Sequence, residues 1–332
     1  SAVCPTVADT QGRLLTNTPP MNAGTVGANF FGNYYYNNRW NGTDLYVVSR
    51  TGTIVRTMIY TGSCRDLTWR GDGFLYGGKA TSTMWKIDTL TGASTIFFTG
   101  SANIRACAWD PNRKVFWVSD FGGNIFAFDT TGAAAGTLSI GNTWTAKYGM
   151  AFDSCSAGSA QGAYLWVWVQ PKTLYRVRIA TNLVVETCSM TAFGIAASIA
   201  GGAEITTDFV TGTGTLFLNF QNDVIIGFKI CDLPVGIGNN ENQIPSAYRL
   251  EQNYPNPFNP TTTITYALPK FSAVEIIVFD MAGRIVKTLV SEIKQAGTYS
   301  VDFDASELSS GVYFYKMNAN DFTDTRKILV VN

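Results

Sequence analysis

Histidine is absent from all 332 residues. Mechanisms that need an imidazole, from triads and general bases to His-ligated metals, are therefore excluded. The side chains with chemical reach in the first 235 residues are six carboxylates, Asp66, Asp110, Asp120, Asp153, Glu204 and Asp208, and three cations, Arg65, Arg105 and Lys147. Converging carboxylates would hold a divalent cation through oxygen ligands. An Asp that follows a strand aromatic, as Asp110 and Asp153 do, more commonly accepts the backbone N–H groups of the next turn, and the sequence favours that structural part. Arg65 and Arg105 are 40 residues apart and Lys147 stands close to the next such position. Brought to one place, the three would bind an acidic sugar or another carboxylate. Pairing with the adjacent Asp66 or with backbone carbonyls is the simpler expectation. No catalytic constellation stands out, so the chain reads as a non-enzyme without a cofactor or a metal.

The elements that must position these side chains repeat. A strand, a Thr-Gly turn and a second strand occur at LYVVSRTGTIVRTMIY, MWKIDTLTGASTIFF and NIFAFDTTGAAAGTLSI. The turn glycines Gly52, Gly92 and Gly132 are 40 residues apart each time, and a tight hairpin asks for glycine because it needs φ > 0. Trp69 and Trp109 keep the same interval in the strands that precede two of the hairpins. Looser copies begin at GMAFD and GAEITTDF, and the last stops one strand short. Four strands per repeat of about 40 residues predict a β-propeller, with five blades and six as the alternative. The stretch at Arg13-Leu14-Leu15 would supply the missing strand and close the ring. GNIFAFDTTG, preceded by AWDPNRKVFWVSD, resembles blades of NHL-like propellers of secreted bacterial proteins, a likeness that speaks to fold alone. Phe30, Phe31, Tyr34, Tyr35, Tyr36 and Trp40 are the densest aromatic cluster, expected between blades. The run around Trp166 and Trp168 is apolar on both faces, which predicts burial on both sides.

Composition agrees with an all-β chain: 46% hydrophobic, 13% aromatic and 32 glycines, with only 14% charged residues against a usual ~25%. Net charge is zero, with 16 basic and 14 acidic side chains before residue 236 and 8 and 10 after it. Neither part carries the basic surplus of a nucleic-acid binder, and no run reaches the ~18 apolar residues of a membrane span.

Domains are expected at 1–233 and 245–332, joined by a polar linker at 234–244. Near the start of the second stands Asn253-Tyr254-Pro255-Asn256-Pro257-Phe258-Asn259-Pro260. Three prolines in eight residues fix φ and remove donors. The segment is therefore a rigid, extended lead-in with Tyr254 and Phe258 as aromatic pegs, followed by strongly alternating strands. With VEIIVFDMAGRIVKTLV, AGTYSVDFDASELSSGVYFYKM and RKILVVN in order behind it, this quarter of the chain resembles the type A C-terminal sorting domain of type IX secretion. The resemblance implies an Ig-like β-sandwich, export across the outer membrane of a Bacteroidetes-like cell, the secretion machinery as a partner, and an extracellular or cell-surface address. A start at Ser1 without Met suits removal of a signal peptide.

For an exported chain, the six cysteines are expected as three disulfides. Cys4–Cys231 would staple the closed ring, leaving Cys64–Cys107 and Cys155–Cys188, although six cysteines permit fifteen connectivities. Asn41-Gly42-Thr43 is an N-glycosylation sequon, and Asp88-Thr89-Leu90 and Asp129-Thr130-Thr131 resemble the short O-glycosylation motif of Bacteroidetes exported proteins. Low charge, many aromatics and disulfides favour a self-assembling structural subunit of an extracellular filament, sheath or layer, a homo-oligomer or polymer in which the C-terminal sandwich is kept as an assembly part. The alternatives are a polysaccharide-binding or adhesive propeller and a propeller hydrolase or lyase.

Overall fold

The structure is a computed structural model. It describes the chain except residues 1–3, 17–19, 22–23, 141–143, 145, 157–162, 194, 196–198, 222, 234–244, 246, 270–271, 295–296 and 332. It divides into two compact units, Ser1–Val235 and Gly236–Asn332. The linker expected over 234–244 lies outside the described residues.

Among the described residues the first unit holds five four-stranded antiparallel sheets, and the strand β1 (Thr10–Leu15) belongs to the last of them. The first sheet runs β2 (Asn29–Phe31), β3 (Tyr34–Asn38), β4 (Asp44–Ser49) and β5 (Ile54–Ile59). The second runs β6 (Asp66–Trp69), β7 (Phe74–Gly78), β8 (Thr81–Asp88) and β9 (Ser94–Ile104). The third runs β10 (Ala106–Asp110), β11 (Val115–Ser119), β12 (Ile125–Asp129) and β13 (Ala134–Leu138). The fourth runs β14 (Lys147–Asp153), β15 (Tyr164–Val169), β16 (Thr173–Arg178) and β17 (Leu183–Ser189). The fifth has β18 (Ala200–Thr206), β19 (Thr213–Phe220) and β20 (Val224–Asp232), with β1 as its outermost strand. Arg13, Leu14 and Leu15 there pair with Ile226, Ile225 and Val224. Gly52, Gly92 and Gly132 have φ of 88°, 76° and 87°, the left-handed values that these hairpins require.

Apolar cores lie between consecutive sheets. Val167 of β15 packs with Trp117 of the third sheet, while Trp166 and Trp168 of the same strand face Leu216 and Phe228 of the fifth. Strand β15 is thus buried on both faces. Phe217 of the fifth sheet packs with Phe30 and Tyr46 of the first, so the order of packing returns to its start in a propeller-like arrangement. The first strands of the sheets, β2, β6, β10, β14 and β18, are neighbours around the middle.

The disulfides differ from the expected set. Cys4 joins Cys188 and Cys155 joins Cys231, while Cys64 and Cys107 are buried free thiols. A 3-10 turn at Val7–Asp9 stands between Cys4 and β1, and Cys4 lies beside β17 rather than at the end of β20. One bridge ties β17 to the segment that leads into β1 and the other ties the turn after β14 to β20, and a Cβ on Gly214 would come within 2.5 Å of both Cys155 and Cys231 sulfurs. The Cys107 Sγ faces the carbonyls of Asp66 and Tyr76, at 3.7 and 3.6 Å, instead of another sulfur.

The second unit has a three-stranded sheet and a four-stranded sheet around one core. The first contains β21 (Arg249–Leu250), β22 (Thr261–Leu268) and β25 (Gly297–Asp304). The second is ordered β24 (Ile285–Lys294), β23 (Ser272–Asp280), β26 (Gly311–Ala319) and β27 (Phe322–Val330). The proline-rich segment fastens the chain's last strand to this core. Phe258 is 3% exposed and packs on Phe303, its N–H donates to the Leu329 carbonyl, and its carbonyl accepts from Val331 N–H. Buried Asn253 donates from its backbone N–H to Tyr315 Oη and from Nδ2 to Thr262 and the Pro255 carbonyl. Tyr254 is not a peg: it is 83% exposed.

Candidate functional site

Arg65 and Arg105 hold equivalent places, because each donates its backbone N–H to the second strand of its own sheet, at the Gly78 and Ser119 carbonyls. Their side chains flank a row of rings. The Arg65 guanidinium lies 3.8 Å from the centre of the Trp40 ring and the Arg105 guanidinium 3.5 Å from that of Phe121. Between them, Tyr148 lies 5.9 Å from Trp40 and 5.0 Å from Phe121. Five separate segments thus meet at this end of the inner strands: the β3–β4 loop, the residue before β6, the residue before β10, the β11–β12 loop and the start of β14. Burial raises the Tyr148 phenol above its ordinary value, and Arg105 and Arg65 pull it back in part, which puts both cations in its electrostatic range.

The three sequence-selected cations meet different fates. Arg105 pairs with Asp120 at 3.1 Å. Lys147 is fully buried, and its Nζ donates to the Phe121 and Gly123 carbonyls at 3.1 and 3.0 Å. Burial lowers its ammonium to about 8, against a smaller opposing pull from Asp120. It braces the β11–β12 loop and is not free to receive a ligand, which corrects its place in the expected cation set. Arg65 is half-buried and does not pair with Asp66. Its Nε and Nη1 have no hydrogen-bond partner among the described residues.

A cavity of about 380 Å³ lies beside Arg105, lined by Ser101, Asn103, Asp120, Gly123, Asn124 and Phe126 among others. Asn103 Nδ2 holds Asp120 at 3.0 Å. Burial pushes the Asp120 carboxyl up, but bonds from Asn103, the Phe121 N–H and Arg105 outweigh it, and the net shift is downward. The carboxylate therefore stays ionised at the cavity wall. Gly123 has φ of 76° and open space where a side chain would stand. The lining offers amides, one anion and one aromatic face, donors and acceptors suited to a hydroxyl-rich ligand.

The remaining carboxylates serve the backbone. Asp66 is fully buried, with Oδ2 accepting the N–H groups of Cys107 and Met150 at 3.0 and 3.2 Å and Oδ1 that of Leu67 at 3.0 Å. One carboxyl thereby links β6, β10 and β14. Gly202 of β18 passes so close that a Cβ would lie 2.5 Å from Asp66 Oδ1. Burial holds the Asp66 carboxyl well above its ordinary value, against those backbone bonds. Burial likewise raises Glu204 to about 8, opposed by bonds from Thr68 and the Trp69 and Ile205 backbone. Asp110 and Asp153 hold turns, each accepting two backbone N–H groups through Oδ1 and an indole N–H, from Trp117 and Trp166, through Oδ2. Asp208 lies in the β18–β19 loop, where burial raises it. Cys4, Glu186 and Cys188 come within metal-ligand reach of one another, but the disulfide leaves no thiolate to bind.

Of the glycosylation candidates, Asn41 is exposed with φ of 53° and Thr130 is half-exposed. Thr89 is buried and its hydroxyl donates to the Gly73 carbonyl at 2.8 Å, so it cannot display a glycan in the folded chain. Sequence reasoning chose Arg65 and Arg105 but missed Phe121 and Tyr148, and it assigned Trp40 to packing. The available signal was position: Phe121 follows the second strand of its repeat, and Tyr148 adjoins Lys147.

Comparison with known proteins bears mainly on the second unit. Residues 252–331 match the family of secretion system C-terminal sorting domains, and residues 3–140 match a repeat of unknown function. No curated protein matches the chain. Among solved structures, the crystal structure of glutaminyl cyclase from Myxococcus xanthus aligns at 11% identity with a TM-score of 0.49, over 67% of this chain and 95% of that one. The sorting domain directs export across the outer membrane to the cell surface or the extracellular space and implies contact with the type IX machinery on the way. Among the described residues no helix is long and apolar enough to cross a membrane.

Proposed function

We propose that this exported chain is a saccharide-binding protein of the cell surface or extracellular space. In this reading its first unit is a five-bladed β-propeller, and its second an Ig-like sandwich that carries the export address. The observation that carries the proposal is the end face: Trp40, Tyr148 and Phe121 in a row, with a cavity of about 380 Å³ lined by Asn103, Asp120, Asn124 and Phe126 beside it. Aromatic faces cover the C–H side of a sugar ring, while amides and a carboxylate take its hydroxyls. The carboxylates that a hydrolase would need, Asp66 and Glu204, are buried against backbone N–H groups, which weighs toward binding. Affinity electrophoresis of the full chain through gels containing neutral and acidic polysaccharides tests this. Retardation by at least one polymer, lost in Trp40→Ala and Phe126→Ala chains that keep their melting temperature, is expected. Free migration in every polymer rejects the reading.

A self-assembling structural role keeps one supporting observation. Val55, Ile59, Ile96 and Leu183, on the outer strands of three sheets of the first unit, are more than half exposed, apolar side chains that a neighbouring copy would cover. Native mass and electron microscopy separate the readings, with long ordered polymers favouring assembly. Filaments unchanged by removal of residues 245–332 would reject a part for the second unit in them.

A further inference from the structure

We infer that the saccharide bound at the end face carries a carboxylate, as a uronic acid does, and that Arg65 receives it; this rests on the binding reading above. Six other guanidiniums of the first unit, Arg50, Arg56, Arg70, Arg105, Arg113 and Arg176, each reach a carbonyl or a carboxylate. Arg65 reaches neither: its Nε and Nη1 are out of solvent with no hydrogen-bond partner among the described residues. Leaving buried donors of a cation unmet is costly. The indole of Trp40, 3.8 Å from the guanidinium, holds the plane in place but accepts no in-plane N–H. Arg105, of the same sign, acts on it, and burial together with that repulsion lowers the Arg65 guanidinium below its ordinary value. An anion at the part of Arg65 that solvent still reaches offsets that repulsion and the burial of the cation.

The end face also selects among anions. One guanidinium is unengaged, Arg105 is already paired, and the ionised Asp120 stands beside it. That field favours a single negative charge over a dianionic phosphate. Lys147 is spent on carbonyls and takes no part. Trp40 and Tyr148 then lie under the ring that bears the carboxylate, and neighbouring units extend toward the cavity wall at Asn103 and Asn124.

Polygalacturonate and alginate provide the probes, each compared with its methyl-esterified form, which keeps the sugar and removes the charge. Titration calorimetry on the full chain reads the affinities, with inorganic phosphate as a competitor. The free-acid form of at least one polymer is expected to bind roughly ten- to a hundredfold more tightly than its ester, as one or two charge-assisted bonds would give. Arg65→Gln abolishes that difference, and Arg65→Lys restores only part of it. Millimolar phosphate leaves binding intact. Equal affinity for acid and ester in the unaltered chain, or an acid preference that survives Arg65→Gln, overturns the inference while leaving saccharide binding in place. Displacement by phosphate overturns the choice of a carboxylate. Failure of every polymer, acid and ester alike, overturns both readings together.

Discussion

Two charged groups of the first unit, adjacent in sequence, have opposite surroundings. Asp66 is closed off in the middle of the unit, and its carboxyl accepts three backbone N–H groups from three strands. Arg65, one residue earlier, stands among aromatic rings at the end of the same strand with unmet donors. A charge whose bonds all go to its own chain is part of the scaffold. A desolvated charge without such bonds marks the place where something else binds. The contrast also sorts Lys147 and Arg105, which sequence position groups with Arg65, into the first class.

The largest effect should come from emptying the middle. Asp66→Ala orphans the N–H groups of Leu67, Cys107 and Met150, and at about 1–3 kcal/mol for each unmet group the loss should reach at least about 3–5 kcal/mol in chemical denaturation. Asp66→Asn, which keeps one acceptor oxygen, should cost less; equal losses would break the account of a shared acceptor. Next, opening Cys4–Cys188, which spans 184 residues, should lower stability by about 3–5 kcal/mol in the chain-entropy view, seen as a drop in melting temperature for Cys4→Ser/Cys188→Ser.

Glu204 tests the same scaffold through pH. Its carboxyl titrates near 8 when folded against an ordinary 4.5, so between those values the folded chain keeps a proton that the unfolded chain has released. Its stabilising contribution is whole below pH 4.5 and is lost as pH rises through 8. Glu204→Gln should flatten that part of the melting-temperature profile, and an unchanged slope would reject the assignment. Smaller still is Lys147→Met, which leaves two carbonyls less well met and should cost about 1–2 kcal/mol. The smallest stability change belongs to Arg65→Gln, within about 1 kcal/mol of zero, because Arg65 Nε and Nη1 have no hydrogen-bond partner among the described residues. A loss as large as that of Lys147→Met would erase the distinction between the two cations.

Much of the scaffold was legible because it is written in local rules. Gly52, Gly92 and Gly132 announce hairpins since only glycine enters their φ region cheaply. The strand at Arg13-Leu14-Leu15 could be placed because the fifth repeat lacked one. The proline-rich segment announced the second unit, yet Phe258 enters the core and Tyr254 does not, since which of two aromatics turns inward depends on the sheet that receives them.

What the sequence determined by itself was the all-β character, the repeat, the export address and the absence of imidazole chemistry, all of which follow from residue types and their spacing. Only the tertiary structure decided the cysteine partners, because a turn at Val7–Asp9 sets the course of Cys4 and no spacing rule reaches across 184 residues. It also decided the fate of three similar cations. Whether Arg65, Arg105 or Lys147 is left unmet depends on which rings, carbonyls and carboxylates distant segments bring beside it, and those neighbours come from separate stretches of chain.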